Sequence, residues 1–146
     1  MARPHYRSAY AFGALALLAL AAPQARADGP ADADLHASMQ CDRASEAGRV
    51  RCTVEVRIEG GRTLAWADVE ILSLPDFASA LKGRIGPQDA LFRDATSTKW
   101  GLGLVARRSG QGEARARVRV VACGPAPGSR CAPAIIEVKA QVTVGG

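Results

Sequence analysis

Four cysteines, all of them beyond residue 27, are the feature that most constrains how this chain of 146 residues can fold. They fall into two pairs that are close in sequence, Cys41 with Cys52 and Cys123 with Cys131. Four cysteines allow three pairings, and proximity favours the two local ones. Because disulfides persist in exported proteins, an exported chain with these cysteines is expected to be a small, covalently cross-linked domain.

The first 27 residues have the composition of a secretory signal peptide. Arg3 and Arg7 form a basic start, residues 11–22 are almost wholly apolar, and Ala25-Arg26-Ala27 offers the small residues that a signal peptidase reads. The apolar run is about a dozen residues long, whereas a membrane-spanning helix needs roughly 20. We therefore expect a periplasmic or secreted protein that does not insert into the membrane after cleavage.

The basic charge of the chain belongs mainly to this predicted signal. The whole sequence has 19 lysines and arginines against 14 acidic residues. Three of those arginines and no acid lie in residues 1–27, so 16 basic and 14 acidic residues remain beyond them. Arg115, Arg117 and Arg119 form a basic stripe, but no aromatic residue is interleaved with them as in nucleic-acid-binding surfaces. We expect a solvated strand face there and no nucleic-acid partner.

The remainder of the chain has the pattern of a β-protein. Strict alternation of apolar and polar side chains, typical of strands with one face on a core, occurs in residues 49–59, 99–107, 113–123 and 134–144. Residues 64–74 predict a fifth, more apolar strand. Gly60 and Gly61 lie between it and the first strand and predict that the two form a hairpin.

Three further segments are less regular. Phe77, Leu81 and Ile85 are spaced by four residues, which suits either one helical turn or an irregular strand. Residues 88–96 have no clear pattern, and Ser109-Gly110-Gln111-Gly112 predicts a turn.

Together these segments predict an all-β fold, an antiparallel immunoglobulin-like β-sandwich of about six or seven strands, stapled by disulfides. An up-and-down barrel is the alternative architecture. The predicted domain spans residues 39–146. Residues 28–38, rich in Asp and Ala, are expected to form a flexible arm before it.

No sequence motif specifies an enzyme. Beyond the predicted signal there is one histidine, His36, and it falls in the predicted arm, so a hydrolytic triad would lack its usual base. Neither a phosphate-binding glycine motif nor a cluster of metal ligands is present, and we expect no cofactor or metal. Trp100 shares an apolar face with Leu102 and is expected in the core, whereas Trp66 is either a core residue or a contact for a partner.

Cys123 and Cys131 provide the one chemical alternative. They bracket a loop rich in Pro and Gly between two long strands, and Cys123 has the parity of the water-facing arginines. Arg130 adjoins Cys131 and would favour its reactive thiolate. Exposed disulfides that close short loops tend to be labile. The pair is therefore either a structural staple between two strands or a redox centre.

This segment resembles the N-terminal periplasmic domain of the DsbD thiol:disulfide interchange family. The resemblance rests on a strand that ends in Cys123, a loop, the sequence Cys131-Ala132-Pro133 and a final alternating strand, and it covers about residues 113–144. It implies an immunoglobulin-like sandwich that passes reducing equivalents through the two cysteines.

Two functions follow from the sequence. The favoured one is a non-enzymatic exported domain that binds another exported protein or associates structurally. The alternative is a periplasmic thiol–disulfide interchange module that uses Cys123 and Cys131 and works with a separate partner.

Overall fold

The computed structural model describes residues 33–146, and antiparallel strands dominate them. These residues contain no α-helix, only the short 3-10 helix Pro87–Asp89, and no helix in them is long and apolar enough to span a membrane. The strands are β1 (Leu35–Cys41), β2 (Gly48–Ile58), β3 (Thr63–Ser73), β4 (Ala78–Ala80), β5 (Arg84–Ile85), β6 (Ala90–Arg93), β7 (Ser97–Ala106), β8 (Gly110–Cys123) and β9 (Cys131–Val144).

The strands form two sheets that enclose one core. In the first sheet the order is β1-β2-β7-β4, with β6 also paired to β7, and in the second it is β5-β3-β8-β9. Immunoglobulin-like domains place strands A, B, E and D in one sheet and C, F and G in the other. The order β1-β2-β7-β6 against β3-β8-β9 is the same arrangement. The predicted sandwich is thus confirmed, with more short strands than the sequence suggested.

The long strands bury the side chains that their alternation predicted. Val54 of β2, Leu104 of β7 and Val118 of β8 are completely buried, and residues of both sheets form one apolar cluster. Trp100 lies in this core, as expected, and its indole N–H donates a hydrogen bond to the carbonyl of Gly86 at 2.9 Å. That bond gives the buried indole its hydrogen-bond partner.

The predicted hairpin between residues 49–59 and 64–74 is wrong. β2 pairs with β1 and β7, whereas β3 pairs with β5 and β8, so consecutive strands belong to different sheets. Gly60 and Gly61 do form a turn with positive φ angles of 67° and 71°. The backbone beside it, at Ile58 and Leu64, donates to the carbonyls of Thr96 and Ala95 instead of bonding strand to strand. Alternation reveals which face is apolar, but not which sheet the next strand joins.

The first strand begins earlier than the sequence predicted. β1 starts at Leu35, which is buried opposite Ile58, so residues 35–38 belong to the sandwich and not to a flexible arm. His36 is exposed on this strand. The predicted signal peptide and the first part of the arm lie outside the described residues.

Two glycines predicted in a turn belong to a strand. Gly110 and Gly112 lie in β8, opposite Val144 and Val142 of β9. A Cβ at Gly110 would lie 2.7 Å from the ring of Phe77, so a glycine is needed where the chain after β3 crosses the start of β8. Phe77 is buried by this crossing. The segment from Phe77 to Ile85 forms the short strands β4 and β5, which fits the predicted irregular strand and not a helical turn.

Candidate functional site

Both predicted disulfides are present, and they differ in exposure. Cys41 bonds to Cys52 and Cys123 to Cys131, each pair lying directly opposite on neighbouring strands. The described residues contain no free cysteine. Cys52 faces the core and is completely buried, whereas Cys131 is exposed and Cys123 is half-buried. Cys41, like Cys123, is half-buried, so the second disulfide is the more accessible of the two.

The exposed disulfide lies at one end of the outer face of the second sheet. An apolar surface continues from it along the sheet, with Trp66 38% exposed and Ile135 62% exposed. We call this surface the disulfide-end patch. Reading across β3, β8 and β9, its rows are Thr63–Cys123–Cys131, Trp66–Val121–Pro133 and Asp68–Arg119–Ile135.

A β-bulge at Ala65 places Trp66 on this outer face. Leu64 pairs with Ala122 and faces the core, and the next pair is Trp66 with Val121, so Ala65 is the extra residue. Without the bulge, alternation would put Trp66 on the same side as Leu64. The carbonyl of Ala65 accepts a hydrogen bond from Arg93 at 3.3 Å. The sequence left the position of Trp66 open, and the bulge decides it.

A buried carboxylate lies beside Trp66. The side chain of Asp68 is only 3% exposed, and it accepts hydrogen bonds from Nε of Arg119, at 2.8 Å, and from Nη2 of the same residue. Nε of Arg84 lies 3.5 Å from the same carboxylate. The hydrogen bonds from Arg119 to Asp68 raise the pKa of that guanidinium above its ordinary value. Arg119 is therefore charged at every physiological pH.

The same guanidinium supports the tryptophan. Its central carbon lies 5.6 Å from the centroid of the Trp66 ring, within the range of a cation–π interaction. Because Asp68 fixes the position of Arg119, the ring of Trp66 is held by this contact while 38% of the residue remains exposed. A tryptophan held in this way loses little conformational freedom when it enters an interface.

Farther from the disulfide the outer face carries ion pairs. Arg115 and Arg117 lie 3.0 and 3.6 Å from Glu137, and Lys139 lies 3.3 Å from Glu113. The stripe of arginines does face outward, as predicted, but acidic neighbours balance its charge. Pairs this exposed contribute little stability. They separate the apolar disulfide-end patch from the remainder of the sheet.

Sequence reasoning missed a groove on the outer face of the first sheet. The groove has a volume of about 870 Å³ and lies between the loop that joins β1 to β2 and the middle of β7. Gly101 and Gly103 form its floor, and Leu91 and Leu81, both more than half exposed, lie over them. The signal was the sequence Trp100-Gly101-Leu102-Gly103-Leu104, in which glycines occupy the outward positions.

No protein-family model and no curated protein matches the sequence. Two solved structures align with most of the chain at 8% sequence identity. The alignment with the ASH/PapD-like domain 7 of human CEP192 covers 98% of this chain and 100% of the CEP192 domain, with a TM-score of 0.38. The alignment with BslA, a bacterial hydrophobin, covers 75% of this chain and 93% of the BslA chain, with a TM-score of 0.32. Likenesses of this size carry no information about function.

Proposed function

We propose that this chain is an exported, non-enzymatic binding module and that its partner is another exported protein. The observation that carries the proposal is the exposed Trp66, held by Arg119 within the disulfide-end patch. Tryptophan and arginine are the residues most enriched among those that dominate protein–protein binding energies. Export is inferred from the composition of residues 1–27 and agrees with two disulfides, which persist in oxidising compartments.

The shape of the patch suits a protein better than a small molecule. Trp66, Val121 and Ile135 lie on three neighbouring strands and share the outer face of the sheet. Small ligands generally bind in concave pockets that bury most of their surface. An apolar centre on a sheet face, beside the charged groups of Arg119 and Glu137, corresponds to the core and rim of a protein interface.

Site-specific photo-crosslinking tests the binding proposal. A photoreactive residue at Ile135 should link one discrete protein other than a second copy of this chain in the cells that make it, and the same residue at Arg57, on the outer face of the first sheet, should not. With that partner purified, Trp66→Ala should raise the Kd at least tenfold, as expected for a dominant interface tryptophan. Phe92→Ala, an exposed aromatic residue of the first sheet, is the matched control. Equal crosslinking at both positions, or an unchanged Kd in Trp66→Ala, would contradict the proposal.

A second candidate function is thiol–disulfide exchange at the same patch. It is favoured by the exposure of Cys131, whose disulfide borders the apolar surface on which a partner would dock. A partner thiolate would attack the sulfur of Cys131, forming a mixed disulfide and releasing Cys123 as a thiolate. A second thiolate of the partner would then attack the mixed disulfide, so that the partner is oxidised and both cysteines of this chain are reduced. The competing interpretation is a structural staple that never opens.

Redox titration separates exchange from a structural role. The protein is equilibrated in glutathione or dithiothreitol buffers, alkylated, and analysed by mass spectrometry at each pair. An exchange centre at Cys123–Cys131 should have a potential between about −120 and −270 mV, whereas structural disulfides lie below about −300 mV. A potential as low as that of Cys41–Cys52 would eliminate exchange. A mixed disulfide trapped on Cys131 in a Cys123→Ser variant would support it.

A further inference from the structure

Strand β9 forms one edge of the second sheet, and hydrogen bonds from outside the sheet reach that edge near the end of the strand. Among residues 33–146, β9 forms a ladder with β8 alone. Near its end, the carbonyl of Thr143 accepts a hydrogen bond from Ala44 at 3.1 Å, and Gly145 donates to the carbonyl of Ala44 at 2.8 Å. Backbone groups alternate in direction along a strand. Thr143 and Gly145 direct these groups away from β8. The other odd-numbered residues of β9 therefore also point their N–H and C=O groups toward the open edge.

Pro133 closes the other end of the open stretch. It is an odd-numbered residue, so its backbone nitrogen faces the edge, and proline has no N–H to donate there. The free stretch thus lies between Pro133 and Thr143, and Val138 is its midpoint. Two identical strands in antiparallel pairing have a two-fold axis, and an axis at Val138 would use this stretch completely in both copies.

We propose that two copies of this chain dimerise by antiparallel pairing of β9 with β9, centred on Val138. This register would place residue 137 opposite residue 139 of the second copy, and residue 135 opposite residue 141. Four such pairs with edge-facing backbone groups would form about eight hydrogen bonds. The two second sheets would become one continuous sheet of eight strands, since each contributes four.

The side chains favour this register over its neighbours. On the outer face, Glu137 of each copy would lie opposite the partner's Lys139. An axis at Glu137 or at Lys139 would instead oppose two like charges at the centre. On the inner face, Ile136 would lie opposite the partner's Ala140. Both of these residues are only partly buried against the core in the single chain. The pairing would therefore cover apolar surface that is now exposed along the edge of the second sheet.

Lysine and proline on an edge strand are also common means of preventing strand addition. In this chain, however, the lysine and the proline fall at positions that the symmetric pairing uses. Lys139 lies opposite Glu137 of the second copy in that register. Pro133 lies opposite Thr143 of the second copy, whose carbonyl already accepts a hydrogen bond from Ala44 of that same copy. The spacing of Pro133, Glu137, Lys139 and Thr143 about one midpoint is the observation on which the proposal rests.

The oligomeric state of purified residues 28–146 tests the proposal, measured by sedimentation equilibrium over a range of concentrations. We expect a monomer–dimer equilibrium in the unaltered protein. Glu137→Lys and Lys139→Glu, each alone, should raise the dimer Kd at least tenfold, because each variant opposes like charges twice. An equimolar mixture of the two variants should restore dimerisation, because every pair of residues 137 and 139 then joins opposite charges. The Tm of each variant checks that it is folded.

Trp66→Ala is the control variant for this experiment, because it alters the disulfide-end patch without changing the free edge of β9. It should leave the dimer Kd unchanged, so failure of the dimer and failure of the proposed binding site remain distinguishable. A protein that stays monomeric at the highest concentration measured would overturn the proposal. A dimer that both charge variants leave intact, or that the mixture does not restore, would also overturn it. If a different protein pairs its own strand with β9 in place of a second copy, the proposed self-pairing is wrong.

Discussion

The guanidinium of Arg119 forms two hydrogen bonds with the carboxylate of Asp68, the residue directly across from it on the neighbouring strand. The carboxylate is almost inaccessible to water, whereas about a third of the arginine side chain is exposed. The same guanidinium lies over the ring of Trp66. One ion pair therefore links the stability of the second sheet to the shape of the candidate binding surface.

This asymmetry predicts the order of stability of three variants. Arg119→Ala should be the least stable, because it leaves the buried carboxyl group of Asp68 without its two hydrogen-bond donors, and Arg84, at 3.5 Å, is then the nearest described cation. Asp68→Ala should be milder, since water can reach the remaining arginine. The double variant Asp68→Ala/Arg119→Ala should be more stable than Arg119→Ala alone. Urea unfolding measures the three free energies. A double variant that loses the sum of the two single losses would show that the pair is not coupled.

The two disulfides should contribute unequally to stability. In the chain-entropy model each short loop contributes about 2.5 kcal/mol. Replacing Cys41 and Cys52 with alanine also removes a sulfur from the core, because Cys52 is completely buried. We therefore expect this double variant to lose more unfolding free energy than Cys123→Ala/Cys131→Ala, whose cysteines face outward. Urea titrations of the two variants give the comparison, and the reverse order would contradict the assigned burial.

Gly110 should not tolerate a side chain. Gly110→Ala would place a Cβ 2.7 Å from the ring of Phe77, which is itself buried, and overpacking of this kind costs about 1–3 kcal/mol. Gly83→Ala is the matched control, because nothing lies within 4 Å of a Cβ at that position. Adding Phe77→Leu to the Gly110 variant should cost less than Phe77→Leu costs in the unaltered protein. Thermal unfolding measures all four variants, and strict additivity would argue against the contact.

Asp94 should give the turn between β6 and β7 a pH-dependent stability. Its Oδ1 accepts hydrogen bonds from the backbone N–H groups of Thr96, at 2.8 Å, and Ser97, at 2.6 Å. These bonds, that of Thr96 first, lower the pKa of Asp94 below its ordinary 3.8. A lowered pKa in the folded state means that the stabilisation is complete above 3.8 and is lost as the pH falls through the folded-state value.

Asp94→Asn isolates the contribution of the charge, because the amide oxygen can still accept both bonds. This variant should unfold at a lower temperature than the unaltered protein at pH 7. The difference should shrink once the pH falls below 3.8 and vanish at more acidic values. Asp94→Ala removes the acceptor as well and should remain destabilised throughout. A difference between Asp94→Asn and the unaltered protein that persists unchanged at acidic pH would contradict the charge contribution.

The sequence predicted those parts of the fold that depend on local alternation. Val54, Leu104 and Val118 are buried because a strand places every second side chain on the same face, and the sequence shows that period directly. The pairing of strands depends on contacts far apart in the sequence. Local alternation therefore predicts a hairpin at Gly60-Gly61, whereas this turn joins the two sheets.

The candidate site was predictable only in part. Cys123 and the outward-facing arginines of β8 are all odd-numbered residues. This pattern correctly indicated an outward-facing disulfide, because β8 pairs regularly with β9 up to Cys123. The position of Trp66 depends on the single extra residue at Ala65, and no local pattern marks such a bulge. The glycines of β7 and β8 were likewise ambiguous, since a glycine that leaves room for Leu81 or Phe77 looks the same in sequence as one that forms a turn.

Each disulfide joins neighbouring strands within one sheet, Cys41–Cys52 in the first and Cys123–Cys131 in the second, and neither of them connects the sheets. Cohesion between the layers therefore comes from the apolar core, from the connecting chain and from hydrogen bonds such as that of Arg93 to the carbonyl of Ala65. An unfolded molecule with intact disulfides would keep two strand pairs, β1 with β2 and β8 with β9, tethered in their native register. Folding of the oxidised protein would then begin from two aligned hairpins, and the remaining search would be for the docking of one layer on the other.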